Sequence, residues 1–142
     1  QALGEIGIDV TIEPADAGTW AQRTANWDFD MTLNYVYLYG DPAVGVSRTY
    51  VSSNIRKVLF ANTMGYVNPR VDELFDLAAS EPDPVKRQEY YTEVQHILVE
   101  DIPNVWLLEL QFPTIYDKRV HNLVTTGIGN NETYADVWIE QK

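Results

Sequence analysis

Two Asx-Pro dipeptides, each followed by an apolar stripe, constrain the fold of this chain more than any other feature. At Asn68-Pro69 and at Asp83-Pro84, the first residue can cap a helix, and proline fits the first helical position without losing a hydrogen bond. Apolar residues then recur at helical spacing, as Val71, Leu74, Phe75 and Ala78, and as Tyr90, Val94, Ile97 and Leu98. The sequence therefore predicts two consecutive amphipathic helices, of which the second ends near Pro103.

Three longer segments have the composition of β-strands. Residues 8–14 alternate apolar and polar side chains, residues 29–39 are rich in aromatic and β-branched residues, and residues 105–116 contain a strand pattern interrupted by proline. Shorter strands are predicted at 58–62, 121–126 and 136–142, a helix at 16–27 and a short helix within 43–53. The predicted fold class is therefore α/β, with a mixed sheet flanked by helices in a single domain, 1–142.

Composition argues against several classes of function. The formal net charge is −11, with 21 acidic and 10 basic residues, whereas nucleic-acid binding requires clustered Lys and Arg. The chain contains no cysteine, which removes disulfides, thiolate nucleophiles and cysteine-based zinc sites. No apolar run approaches the roughly 20 residues that a membrane-spanning helix requires.

Patterns typical of catalysis or metal binding are sparse. His96 and His121 lie far apart and belong to no metal-binding motif. Asp28 and Asp30 form a pair at the start of a predicted strand, without further oxygen ligands at loop spacing. We therefore predict no catalytic residue, no metal and no cofactor, and we do not expect an enzyme. The alternatives are an acid-dependent hydrolase that uses these two aspartates with Glu109, and a stand-alone interaction module.

Residues 35–48 form the best candidate for a ligand site. Tyr37, Tyr39 and Asp41 stand at the carboxyl end of a predicted strand, where ligands bind in open α/β folds. Aromatic walls with one fixed charge suit a small-molecule cleft, although Tyr35 and its neighbours could instead pack in the core. Arg48 follows closely and could pair either with Asp41 or with an anionic ligand.

Five motifs in one order give the chain a family resemblance. They are GIDVTIEP at 7–14, WDFDMTLNYVYLYGDP at 27–42, GYVNPRVDELFDLAA at 65–79, DPVKRQEYYTEVQHILVEDIPNVWLLEL at 83–110 and DVWIEQK at 136–142. In this order they resemble the C-terminal lobe of bacterial extracellular solute-binding proteins of family 5, which bind dipeptides, oligopeptides or nickel for ABC importers. The resemblance implies the fold of a type II periplasmic binding protein lobe.

The resemblance also implies a ligand site and partners. In the family, the segment matching YVYLYGDP at 35–42 is part of the ligand cleft, and the segment that contains Asn62 approaches it. Many peptide-binding members carry an acid that holds the ligand's amino terminus, and Leu38 stands at that position here. A free-amine peptide is therefore less expected than a modified peptide, an opine, an oligosaccharide or another polar solute. The expected protein partner is the membrane permease of an ABC importer.

The expected setting is a two-lobed trap in the periplasm or outside the cell, with a lipid anchor as one option for the full-length protein. The opening QALGEIGIDV resembles the end of a helix that runs into a strand, so we expect the chain to be a fragment of a longer protein. Such a lobe supplies one wall of the cleft. Alone it would bind solute weakly, and its exposed sheet edges would favour dimerisation.

Overall fold

A computed structural model describes residues 1–37 and 39–141 of the chain. Its α-helices are α1 (Ala2–Glu5), α2 (Ala17–Asn26), α3 (Ser47–Tyr50), α4 (Pro69–Ser80) and α5 (Pro84–Asp101), with 3-10 turns at Ser52–Asn54 and Gly129–Asn131. Within these residues, the sheet consists of β1 (Val120–His121) and β2 (Trp138–Ile139), which are antiparallel. None of the described helices is both long enough and apolar enough to cross a membrane.

The core lies between α4 and α5. The four α4 residues of the predicted stripe are all buried, and Val94 and Leu98 of α5 are buried against them. Tyr90 and Ile97 pack at the edge of this cluster and are partly buried, while Tyr50 of α3 closes one side. The helix pair and its two apolar stripes are therefore confirmed.

Capping side chains begin three of the helices, and two of them, Asn68 and Asp83, were predicted as caps. The Oδ1 atom of Asn68 accepts hydrogen bonds from the amides of Arg70 and Val71, at 3.0 and 3.4 Å. The Asp83 side chain accepts from the amide of Val85 at 2.9 Å. Asp16 accepts from two backbone amides at the start of α2. Each cap satisfies amides that have no partner within the helix, which is why these residue types mark the starts.

A carboxylate at the end of α5 fixes the start of α4. The Oδ2 atom of Asp101 accepts hydrogen bonds from the Tyr66 hydroxyl at 2.6 Å and from Asn68 Nδ2 at 2.9 Å. The hydrogen bond from Tyr66, with that from Asn68, lowers the pKa of Asp101. Burial, together with the same contact, raises the pKa of Tyr66 to about 12. The two helices are therefore joined at their far ends as well as along their apolar faces.

The segments predicted as long strands are not strands in this structure. Residues 8–14, 29–37 and 105–116 lie in no strand, and 58–62 contains turns and bends. Of the predicted short strands, two-residue pieces are found at β1 and β2. Leu38, within the predicted strand 29–39, lies outside the described residues. A strand requires a hydrogen-bonded neighbour, and the side-chain pattern that predicts it does not supply one. The mixed sheet of the α/β class stays a prediction.

Asn68→Ala should lower the free energy of unfolding by about 1 kcal/mol, because two amides at the start of α4 lose their acceptor. Urea denaturation followed by circular dichroism measures the change. Pro69→Ala is the matched control and should have little effect, since alanine is the best helix former and proline here has no helical hydrogen bond to restore. Equal losses in the two variants would contradict the capping role of Asn68.

Candidate functional site

Four aromatic rings meet where residues 29–37 pass residues 105–116, and Tyr37 lies at their centre. Its ring centroid is 5.7 Å from that of Tyr35, 6.1 Å from that of Tyr39 and 5.7 Å from that of Phe112. Such separations are typical of favourable aromatic pairs. Tyr35 and Tyr37 remain 48% and 41% exposed, so this aromatic cluster offers ring surface to solvent instead of filling a core. Partial burial, with the nearby Tyr35, raises the pKa of Tyr37.

Phe112 is a member of the cluster that the sequence did not reveal. It lies 75 positions after Tyr37 in the sequence, on a different segment. Its only signal was its place in a second predicted strand. The three tyrosines could be grouped in advance because alternate residues of an extended segment share a face.

A tight turn follows the cluster and holds the Tyr39 ring. Gly45 has a φ of +95°, and a Cβ atom at this position would lie 3.0 Å from Tyr39 Cδ2. Glycine therefore allows both the backbone conformation and the close approach of the ring. The amide of Val44 donates to the Asp41 carbonyl at 2.8 Å, and the amide of Ser47 donates to the Pro42 carbonyl at 3.1 Å. The turn leads directly into α3.

Asp41 forms an ion pair with Arg87 of α5, so its pairing with Arg48, one of the two alternatives from sequence, is not observed. Arg87 Nη2 donates to Asp41 Oδ1 at 2.6 Å, and the amide of Ala43 donates to the same oxygen at 2.9 Å. The hydrogen bond from Arg87 is the main reason that the pKa of Asp41 is lowered. The same contact raises the pKa of Arg87.

Arg87 connects this turn to both helices of the core. Its Nε donates to the Ala78 carbonyl near the end of α4 at 2.9 Å, and its Nη2 donates to the Tyr91 hydroxyl at 3.0 Å. Its Cζ lies 5.0 Å from the centroid of the Tyr91 ring. One guanidinium thereby joins α4, α5 and the Asp41 turn.

Arg48 turns toward backbone and an aromatic ring. Its Nε donates to the Gly45 carbonyl at 3.1 Å, and its Cζ lies 5.8 Å from the Phe60 centroid. The side chain is half-buried. No carboxylate among residues 1–37 and 39–141 forms an ion pair with it.

Asn62, also a predicted site residue, is fully buried and serves the fold in this structure. Its Nδ2 donates to the carbonyls of Tyr50, Val51 and Tyr66 at 3.3, 3.2 and 2.8 Å. Its Oδ1 accepts from the amide of Tyr66 at 3.0 Å. Both polar atoms are thus occupied by backbone partners. The structure does not bring Asn62 into the aromatic cluster, and a single sequence offers no signal for this inward role.

Asn62→Ala should lower the free energy of unfolding by about 2–3 kcal/mol, because buried carbonyls lose their donor. This loss exceeds the one expected for a helix cap. Asn26→Ala, at the exposed end of α2, is the matched control and should change stability by less than about 1 kcal/mol. Urea denaturation of both variants tests the difference. A stable Asn62→Ala chain would show that these hydrogen bonds do not hold the segment.

The Asp41 carboxyl should titrate below its usual range and move back toward it in Arg87→Gln. Because the folded-state pKa is lowered, the stabilisation is complete above the pKa of an unfolded aspartate and is lost as pH falls through the lowered value. Carboxyl ¹³C NMR measures the titration. Lys86→Gln, on the same helix but exposed, is the control and should leave the Asp41 pKa unchanged. An ordinary Asp41 pKa in the unmodified chain would contradict the ion pair.

Of the three acids in the hydrolase alternative, Asp28 is already engaged by a basic side chain. Asp28 Oδ2 lies 3.1 Å from Arg23 Nε in an exposed ion pair. The part of the chain that the structure describes contains no group of three or more histidine, aspartate or glutamate side chains that could hold a metal ion.

Two curated proteins are similar to this chain along most of its length, whereas no family model and no solved structure matches it significantly. The probable D,D-dipeptide-binding periplasmic protein DdpA of Escherichia coli (strain K12) is 27% identical over 124 residues, which are 87% of this chain and 24% of that protein. Protein XP55 of Streptomyces lividans is 31% identical over 127 residues, 89% of this chain and 23% of that protein.

The chain spans about a quarter of the length of these curated relatives. The similarity to DdpA supports a relationship to solute-binding proteins, in agreement with the order of the sequence motifs. Of these two relatives, DdpA is the one whose name states a function, that of a probable D,D-dipeptide-binding periplasmic protein.

Proposed function

We propose that the chain is the ligand-binding lobe of a periplasmic or extracellular solute-binding protein, which delivers a peptide-like or other polar solute to an ABC importer. The observation that carries this proposal is the similarity, along 87% of the chain, to a protein named as a periplasmic D,D-dipeptide binder. The five motifs in their order support the same function.

The proposed ligand surface is the aromatic cluster with the turn that follows it. Tyr35 and Tyr37 offer partly exposed rings that can pack on apolar parts of a solute, while their hydroxyls can hydrogen-bond to polar parts. Tyr39 is positioned by its contact with Gly45. Asp41 contributes by holding the turn against α5. Asn62 is omitted because its polar atoms are occupied by the backbone.

The proposed solute lacks a free amino terminus at this wall. Leu38 replaces the acid that many peptide-binding members use for an ammonium group, and the nearby Asp41 is already paired with Arg87. A modified peptide, an opine or an oligosaccharide therefore fits better than an ordinary peptide.

The proposed mechanism is closure of two walls around the solute. A solute shifts a two-state hinge only as far as it binds the closed state more tightly than the open one. This chain would supply one wall, and the closed form would dock on the permease. Binding to the chain alone is therefore expected to be weak.

A thermal-shift screen of the full-length protein should identify the solute class. The expected result is a rise in Tm with N-acylated dipeptides, opines or oligosaccharides, because a ligand stabilises the folded state that binds it. Free dipeptides serve as the comparison and should give a smaller shift. No shift with any of these classes, at concentrations up to the millimolar range, would contradict the proposed function.

Tyr37→Ala in the full-length protein should weaken binding of the identified solute about tenfold, which corresponds to roughly 1.4 kcal/mol of lost ring contact. Tyr116→Ala, a similarly exposed tyrosine that contributes no ring to the cluster, is the matched control and should bind normally. Isothermal titration calorimetry measures both. Unchanged affinity in the Tyr37 variant would exclude the cluster as the ligand surface.

A further inference from the structure

The structure gives the two charged residues of the proposed site different roles. Asp41 has a cationic partner, Arg87, at 2.6 Å, so its charge is balanced before any solute arrives. Arg48 has no acidic partner among the described residues. Of these two side chains, Arg48 alone keeps an unpaired charge, and that charge is positive.

Arg48 differs in burial from the other basic side chains that lack an ion pair. Within the described ranges, the unpaired basic residues besides Arg48 are Arg56, Lys57, Lys86 and Lys118, and all four are exposed. An exposed cation is compensated by water. A half-buried cation loses part of that hydration, and an anionic partner restores the lost stabilisation.

The Arg48 guanidinium is held in place from two sides. Its Nε donates to the Gly45 carbonyl at 3.1 Å, and the Phe60 ring lies beside its Cζ. The Arg48 carbonyl accepts a hydrogen bond from Asn54 Nδ2 at 2.6 Å, which fixes the backbone below. The Nη1 and Nη2 atoms donate to no side chain or backbone atom of the described residues, so two parallel donors are available.

Arg48 and the aromatic cluster contact the same residue, Gly45. Gly45, whose carbonyl receives the Arg48 hydrogen bond, is also the residue against which the Tyr39 ring packs. A guanidinium fork binds a planar carboxylate through two hydrogen bonds, which a lysine cannot do. A carboxylate held here would extend from a group that packs on the tyrosine rings.

We propose that Arg48 makes the site selective for solutes that carry a carboxylate next to an apolar or aromatic group. This inference rests on the proposed function and names the solute class of the same surface. Arg87 acts as a positioning residue, since it holds the Asp41 turn against α5 and balances the charge of that carboxylate.

Two matched probes test the selectivity: N-acetyl-L-phenylalanine and its amide, which differ by the carboxylate alone. Ligand-observed NMR on the full-length protein measures their affinities even when binding is weak. The unmodified protein should prefer the carboxylate about tenfold, as expected for a charge-assisted hydrogen-bond pair. Arg48→Gln should remove this preference, because the carboxylate loses its charge-assisted partner and falls to the affinity of the amide or below it.

Two further variants separate selectivity from folding. Arg48→Lys keeps the charge and should retain part of the preference, while Arg56→Gln, an exposed arginine without an ion pair, should keep all of it. A preference that survives in Arg48→Gln would overturn the inference. Equal binding of both probes by the unmodified protein would overturn it as well and leave the proposed function intact. Binding of neither probe would also overturn it, and the solute screen then decides the proposed function separately.

Discussion

The burial of apolar side chains between α4 and α5 determines where the polar contacts to the other segments form. Val71, Leu74 and Ala78 are removed from water along one face of α4, and this burial fixes the rotation of the helix. With that rotation set, Asp72 accepts hydrogen bonds from the amide and hydroxyl of Ser52. At the same end of the helix pair, Asp101 of α5 holds the start of α4. The short elements around the hairpin are therefore attached to it through side chains.

The position of the aromatic cluster depends on the α4–α5 pair. The described residues of the segment that carries the three tyrosines form no strand ladder, so their backbone lacks the usual means of alignment. Its end is instead held by the Asp41–Arg87 ion pair, and residues 105–116 are held in part by the hydrogen bond from Trp106 Nε1 to the Tyr50 hydroxyl at 3.3 Å. Apolar side chains remain exposed along both segments, which is typical of surfaces that pack against further protein.

The elements that could be predicted from sequence are those specified by neighbours within one or two helical turns. Asn68, Asp83 and Asp16 cap helices through amides two or three residues away, so the local sequence contains both partners. The contact between Asp41 and Arg87 spans 46 residues, and sequence showed only that both are charged. The long predicted strands have no pairing partner among the described residues for a related reason, since alternation describes one strand and says nothing about the neighbour that must pair with it.

The proposed site shows the same difference between local contacts, which the sequence indicates, and distant contacts, which it does not. Tyr35, Tyr37 and Tyr39 alternate along one segment and their rings do contact one another, whereas the contact of Phe112 with them could be found only from coordinates. Asn62 shows the opposite case: a polar residue near a family motif is expected at a surface, but here the backbone of its own segment needs an internal donor and acceptor. Burial of an amide is not visible in its residue type.

The contacts of the Arg87 guanidinium restrict which residue this fold tolerates at position 87. Its Nε and Nη2 atoms reach the Ala78 carbonyl and the Asp41 carboxylate at the same time, along different directions of one rigid plane. A lysine carries the same charge on a single nitrogen and cannot span the two acceptors. An exchange of arginine for lysine is neutral at many surface positions. At position 87 it would separate the turn from the α4–α5 pair, although the net charge of the chain would not change.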